Sequence, residues 1–205
     1  MTAAMPGSTG LLPLARIAPG RVIDVGIAEQ HAITSAAGLA HAGLLPIVAV
    51  YSTFLSRAFD QLNLDVGLHG EHVILALDRA GITGDDGPSH HGVLDMALGL
   101  RVPDLTILAP SSEENLVELL DVAVGLDGPV LIRFPKGSVV PREAPGPRAG
   151  DPVPGLAARW LRDGEDVCIL AVGDRVAAAV DAADRLAVEG IQATVIDVRS
   201  VRPLD

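Results

Sequence analysis

The chain has 205 residues, 49% of them hydrophobic and 20% charged, with a formal net charge of −11, enough for one domain or one and a part around a sizeable core. The acidic balance, with no basic stripe interleaved with aromatics, excludes a nucleic-acid-binding protein. The longest apolar stretch, Leu44 to Val50, is broken by Pro46 and falls far short of the roughly 20 residues that a membrane-spanning helix needs, which excludes a membrane helix.

In chain order, Met1 to Gly20 has no basic start followed by an apolar block, so no secretory signal is read there and a cytoplasmic location is expected. Strand-like runs then alternate with helix-like ones. Val22–Val25 is followed by a helix from about Ala28 to His41, with Gly43 where that helix should stop. Ile47–Val50 precedes a helix from about Leu55 to Leu68, and Val73–Leu77 leads into a Gly-rich loop. A helix from about Val93 to Leu100, the strand Thr106–Ala109, a helix from about Glu113 to Gly125 and the strand Val130–Phe134 complete the series. Ser111 followed by Glu114 reads as a capping box for the helix at 113. The strands are short and apolar on both faces, the pattern of a parallel sheet covered by helices on two sides, in an α/β protein.

Pro141 to Pro154 contains five prolines and no periodicity, and reads as an interdomain linker. Val167–Val172, a helix from about Arg175 to Glu189 and Ala193–Val198 form one βαβ unit, too little to bury both faces of a sheet, so an incomplete C-terminal domain is expected, with Trp160 partly uncovered. The division is 1–140, linker 141–158, and 159–205. Cys168, the one cysteine, lies inside an apolar run and is expected to be a buried core thiol.

Ligands of open parallel sheets bind outside the carboxyl ends of the strands. Following the strands here are Glu29, then Tyr51 and Phe54, then Asp78 and Arg79, then Ser111 and Ser112, then Lys136. A Glu in the first helical turn also complements the helix dipole, and caps or solvated loops would explain any one of the others. Together they point to one edge as a site. The loop Gly81 to Gly92 packs four glycines, two aspartates, a proline and two histidines into twelve residues, costly to order as mere connection. Asp85, Asp86, His90 and His91 are metal-ligating types, but their crowding on one loop lacks helix or hairpin spacing.

The segments Arg21-Val-Ile-Asp-Val-Gly-Ile-Ala-Glu-Gln-His31, Tyr51-Ser-Thr-Phe-Leu-Ser-Arg57, Asp78-Arg-Ala-Gly-Ile-Thr-Gly84, Asp86-Gly-Pro-Ser-His-His-Gly92 and Arg133-Phe-Pro-Lys-Gly137, in that order, resemble the 1-deoxy-D-xylulose-5-phosphate synthase family of transketolase-like thiamine diphosphate enzymes. The resemblance implies a pyrimidine-binding domain lacking its first helix and strand, plus the start of the transketolase C-terminal domain. It assigns to Glu29 the carboxyl that donates to N1′ of the cofactor's pyrimidine, and to Phe54 the stacking on that ring. His90 would shuttle a proton near neutral pH. Tyr51, Arg57, Arg79, Asp86, His90 and Lys136 would contact the substrates, pyruvate and glyceraldehyde 3-phosphate. His31 is read either as a helper that positions Glu29 or as an ordinary helix-face residue, and Arg133 as either a structural ion pair or part of the site. Where the family's better-known pattern has Arg-Gly, this chain has Lys136-Gly137, a point charge without arginine's bidentate fork.

The family holds the cofactor's diphosphate through Mg²⁺ and a Gly-Asp-Gly motif in a separate N-terminal domain, and no such motif occurs here; the nearest string is Gly84-Asp-Asp-Gly87. The implied protein is a homodimer that condenses pyruvate, with decarboxylation, onto glyceraldehyde 3-phosphate, a step toward isoprenoids, thiamine and pyridoxal. This chain is expected to carry half of that composite site and to be inactive alone. The alternatives are the β half of a split transketolase or 2-oxo acid dehydrogenase, and a non-catalytic module that keeps the fold.

Overall fold

A computed structural model describes residues 1–137 and 155–205. The expected linker falls mostly outside the described residues. The described residues form two compact units, one of Met1–Ile107 with Leu126–Lys136, the other of Leu108–Gly125 with Gly137–Asp205.

The first unit is built on parallel strands. β1 (Ile47–Tyr51), β2 (Ile74–Asp78), β3 (Thr106–Leu108) and β4 (Val130–Arg133) take the spatial order β1-β2-β4-β3. β1 pairs with β2, and β2 with β4, in parallel register. Val48, Val50, Ile74, Leu75, Leu77, Val130, Leu131 and Ile132 are buried, as strands apolar on both faces must be when sandwiched between helical layers. The register sets Tyr51 beside Asp78 and Leu77 beside Arg133, so the strands end together and their carboxyl edge is where side chains converge.

Helix α1 (Leu12–Ile17) precedes α2 (Glu29–His41). The latter buries Ala32, Ile33, Ala36 and Ala37, and its small residues let it lie close against the unit. Gly43, at φ +83°, donates its N–H to the carbonyl of Ala40 and ends the helix in the left-handed region that glycine enters without a Cβ penalty. Val22–Val25 is not the first strand of the sheet. It makes only an isolated bridge between Asp24 and Thr2, with Thr2 N–H donating to Ile23 O and Val25 N–H to Thr2 O. Met1 occupies the flank of β1 instead, accepting from Ala49 N–H at 2.8 Å.

The helix expected from 55 to 68 is a composite: a 3₁₀ run over Ser52–Ala58, a single α turn, α3 (Phe59–Gln61), and a π segment over Leu62–Gly67. A reason for the π segment lies at Gly67, where a Cβ would stand 2.5 Å from Val102 Cγ1; the wider winding seats a residue without a side chain at this crossing, and π segments recur at functional sites. α4 (Asp95–Gly99) completes the unit. Phe59 and Phe134 are half-buried.

In the second unit, α5 (Glu113–Gly125) is capped one residue later than expected. Ser112 Oγ accepts from Asn115 N–H at 3.1 Å, while Asn115 Oδ1 accepts from Ser111 N–H at 3.2 Å. The Asn115 amide accepts where a Glu was expected, from the N–H of Ser111 rather than of the capping Ser112. β5 (Arg159–Arg162), β6 (Val167–Ala171) and β7 (Ala193–Asp197) form a sheet of order β5-β7-β6, with β5 antiparallel to β7 and β6 parallel to it across α6 (Arg175–Val188). Ala183 of α6 packs with Ala193 and Val195, against Leu161, Ile169 and Val180. Neither β5 nor β8 (Ser200–Arg202) was expected; β5 has only two apolar residues between two arginines, too few to signal a strand. Cys168 is exposed, contrary to expectation: only alternate residues of β6 face α6, and Cys168 is on the other side from Ile169.

A buried polar network belongs to the same unit. Arg199, 2% exposed, donates to Ala157 O at 2.8 Å and to Glu118 Oε1 at 2.7 Å, and Glu118 Oε2 is taken by Arg159. Burial opposes ionisation of Glu118, but the two guanidiniums prevail and hold its carboxyl below the usual value. Ser111 Oγ donates to Asp197 Oδ2 at 2.5 Å, and burial pushes the Asp197 carboxyl up.

Candidate functional site

The site residues lie in the first unit, at the carboxyl ends of its strands and on the loop Gly81–Gly92. Glu29 opens α2 and is 4% exposed. Its carboxylate accepts no side-chain hydrogen bond among the described residues; its charged partner is Arg57, whose Nη1 lies 3.8 Å from Oε2. A carboxylate buried with so little compensation is costly unless something donates to it. The helix N-terminus offsets part of that cost.

Arg57 links Glu29 to an aromatic cluster. Its Cζ is 5.1 Å from the Phe54 centroid. Phe54 stacks on Tyr51 with centroids 5.6 Å apart and planes within 12°, and His90 meets both rings edge-on, at 5.6 Å from Phe54 and 6.2 Å from Tyr51. On Tyr51 lies the Arg79 guanidinium, its Cζ 4.1 Å from the ring centroid. Guanidinium, tyrosine, phenylalanine and guanidinium thus form one consecutive series, each contact attractive through the ring quadrupole. The short 3₁₀ run makes this possible by carrying Phe54 and Arg57, three positions apart, on one side.

The loop is closed at its base by reciprocal hydrogen bonds of 2.8 Å between the backbones of Gly81 and Gly92. Gly92 has no room for a side chain: a Cβ would stand 2.3 Å from Ser52 Oγ and 2.6 Å from Arg79 O. Gly81, Gly84 and Gly87 take positive φ. Within the loop, Lys136 Nζ donates to Asp86 Oδ1 at 2.8 Å and to Asp85 Oδ1 at 3.2 Å. The hydrogen bond from Lys136 holds the Asp86 carboxyl below its usual value, and the two carboxylates raise the Lys136 ammonium. Ser89 O accepts from Thr53 Oγ1 at 3.1 Å, and Ser89 Oγ lies 2.9 Å from His90 Nδ1. His91 turns away to Thr83.

The structure therefore brings Tyr51, Phe54, Arg57, Arg79, Asp86, His90 and Lys136 into one connected set, with Glu29 joined through Arg57. It does not bring His31 to Glu29; that ring lies 3.4 Å from Ser35 Oγ on the exposed side of α2. Arg133 forms a buried ion pair with Asp95, Nε to Oδ2 at 2.8 Å. Among the described residues no group of three His, Cys, Asp or Glu could hold a metal ion, and no helix is long and apolar enough to cross a membrane. Sequence reasoning named Asp78 as a strand end but gave it no role, and it did not single out Thr53 or Ser52. Asp78 is 8% exposed, and burial pushes its carboxyl up. Nothing in the sequence marks the left-handed backbone of Arg79 at φ +61°, which costs about 1–3 kcal/mol in a non-glycine residue.

This arrangement, parallel strand ends with a buried helix-start carboxylate and an aromatic, cation-rich loop, is the candidate site of an α/β protein. Residues 1–141 match the family model of the transketolase pyrimidine-binding domain, and the chain belongs to that family. Residues 156–205 match the model of the transketolase C-terminal domain. The chain is similar over its whole length to 1-deoxy-D-xylulose-5-phosphate synthase of Thermomicrobium roseum, at 50% identity, and to the first such synthase of Geobacter sulfurreducens, at 48%, spanning 32% of each. Among solved structures, a split-gene transketolase described as an inactive β4 tetramer superposes with a TM-score of 0.84 at 31% identity, over 99% of this chain and 65% of that one. Campylobacter jejuni transketolase superposes with the same TM-score of 0.84 at 18% identity, over 98% of this chain and 32% of that one, a likeness of fold.

Proposed function

We propose that this chain supplies the pyrimidine-binding half of a thiamine diphosphate site, and that the complete assembly transfers a two-carbon unit from pyruvate to glyceraldehyde 3-phosphate. The observation that carries the reading is Glu29, a buried carboxylate that lacks a side-chain hydrogen-bond donor among the described residues and sits one arginine away from Phe54. That combination fits the aminopyrimidine end of the cofactor. Glu29 would hold and exchange a proton at N1′, while Phe54 would pack on the ring. The bound cofactor would supply the electron sink for making and breaking carbon–carbon bonds.

The remaining residues act on the substrates. Arg57 and Arg79 supply charge for the pyruvate carboxylate. Lys136 supplies a point charge for the acceptor's phosphate. Asp86, held ionised by Lys136, accepts from substrate hydroxyls, and His90 acts as the proton relay. Tyr51 carries Arg79. The diphosphate and Mg²⁺ have no counterpart among the described residues and would be held by a Gly-Asp-Gly domain. A pairing of two such chains, as in the family's dimers, is part of this reading.

The test supplies the diphosphate-binding domain of the T. roseum synthase by fusion and follows exchange of the cofactor's C2 proton by NMR. Glu29→Gln keeps size and a hydrogen bond but cannot exchange a proton, so exchange slows by about 10²-fold or more. An unchanged rate removes Glu29 from the chemistry. A second reading, favoured by the split-gene neighbour, makes the chain one subunit of a two-chain enzyme; activity on mixing with a separate diphosphate-binding chain, without fusion, supports it.

A further inference from the structure

We propose that Asp78 is a positioning residue for Arg79, fixing both its backbone and its guanidinium so that one edge of the guanidinium is presented to the anionic group of a substrate. The inference deepens the reading given above and rests on Arg79 meeting an anion. Asp78 closes β2, beside Tyr51 in the parallel register. One of its oxygens, Oδ1, accepts the backbone N–H of Arg79 at 2.6 Å, and the other, Oδ2, accepts from Nη1 of the same residue.

The two contacts act on different degrees of freedom. The Oδ1 contact stabilises the left-handed backbone at Arg79, whose carbonyl oxygen lies close against Gly92. An L-residue persists in that conformation only when its surroundings over-determine it, and here Asp78 holds the N–H of Arg79 while Gly92 crowds its carbonyl. The Oδ2 contact, with Ser8 O accepting from Nη1 at 3.3 Å, holds the guanidinium over Tyr51, while Asp86 Oδ2 stands 3.8 Å from Nε. Nη2 has no partner among the described residues. A guanidinium has five donors in a fixed plane, so gripping Nη1 aims Nη2.

The role separates from simple support of the fold. Burial opposes the ionised carboxylate of Asp78, so Asp78→Asn removes a desolvated charge and keeps an acceptor for the backbone N–H. It loses the grip on Nη1.

The experiment uses the full 205-residue chain labelled with ¹⁵N, and reads the Arg79 Nε–Hε signal, displaced by the ring current of Tyr51 and assigned through Arg79→Lys. In Asp78→Asn the signal moves to the position of a mobile arginine while the backbone spectrum stays folded. A signal that stays in place overturns the proposal. Pyruvate is then titrated into both proteins. A displacement of the signal that needs about tenfold more pyruvate in Asp78→Asn supports positioning, and equal titrations overturn it. If pyruvate leaves the wild-type signal unmoved, the reading of Arg79 as an anion contact fails, and the signal's position in Asp78→Asn still decides whether Asp78 holds it. Should Asp78→Asn unfold, the double variant Asp78→Asn, Arg79→Gly decides: glycine takes the left-handed backbone freely, so recovery of folding shows that Asp78 acts through Arg79, and failure to recover overturns the idea.

Discussion

Lys136 donates to Asp86 Oδ1 at 2.8 Å, and the same ammonium reaches Asp85 at 3.2 Å, so the one lysine of the chain is paired with both acids of the loop. A phosphate arriving at Lys136 has to compete with those carboxylates, since one point charge serves either partner. In the fused, cofactor-loaded protein, Lys136→Ala is expected to raise KM for glyceraldehyde 3-phosphate by about tenfold or more, with less effect on decarboxylation of pyruvate alone. Steady-state kinetics of the full reaction beside the half reaction check this; equal losses in both count against a role in acceptor binding.

Gly92→Ala is expected to destabilise the first unit by about 1–3 kcal/mol, the range of overpacked sites, because its Cβ meets Ser52 and the carbonyl of Arg79. Gly84→Ala, at φ +67° with open space around it, meets only backbone strain, about 1–2 kcal/mol. Urea unfolding compares them, and Gly92→Ala alone should also displace the Arg79 signals.

The buried pair of Arg133 with Asp95 gives an asymmetric expectation. Asp95→Ala leaves a buried guanidinium without its partner and should cost about 3–5 kcal/mol, whereas replacing both residues by apolar ones of similar volume should cost much less. Denaturant midpoints of the single and double variants decide; equal losses would mean that packing, not charge, dominates there.

Asp78 and Asp86 share one reference value, 3.8, and depart from it in opposite directions. Burial raises the first, so the penalty of ionising it is present at neutral pH, fades as pH falls through its folded value, and is gone below 3.8. The hydrogen bond from Lys136 lowers the second, so its stabilisation is present above 3.8 and is lost as pH falls through its folded value. On acidification Asp78 should therefore protonate first. Carboxyl ¹³C titration gives the order directly, and the reverse order would contradict the packing described for both residues.

The parallel sheet and its carboxyl edge were legible because strands buried on both faces leave continuous apolar runs, as Ile74–Leu77 does, and because the residue after each run is fixed by the run itself. Tyr51, Phe54 and Lys136 could thus be placed without coordinates, and Glu29 as the first residue of a helix, whereas contacts across the fold could not. That His90 meets the edges of Tyr51 and Phe54 depends on tertiary packing that no local pattern encodes, whereas His31 beside Ser35 is the i,i+4 neighbour relation of one helix. Val22–Val25 carried a strand's composition, yet only one bridge forms, since β propensity is realised only where a partner strand is in register. Cys168 was misread for a related reason: an apolar run implies burial on both faces only if both faces are covered.

The paired backbones of Gly81 and Gly92 make the intervening loop a ring with its own clasp. The clasp fixes the span of the ring, and Asp86, Ser89 and His90 tie residues 82–91 to Lys136, to Thr53 and to the rings of Tyr51 and Phe54. A change of side chain inside the ring therefore acts on the site through those contacts, while the two glycines keep the ring's ends at a constant separation.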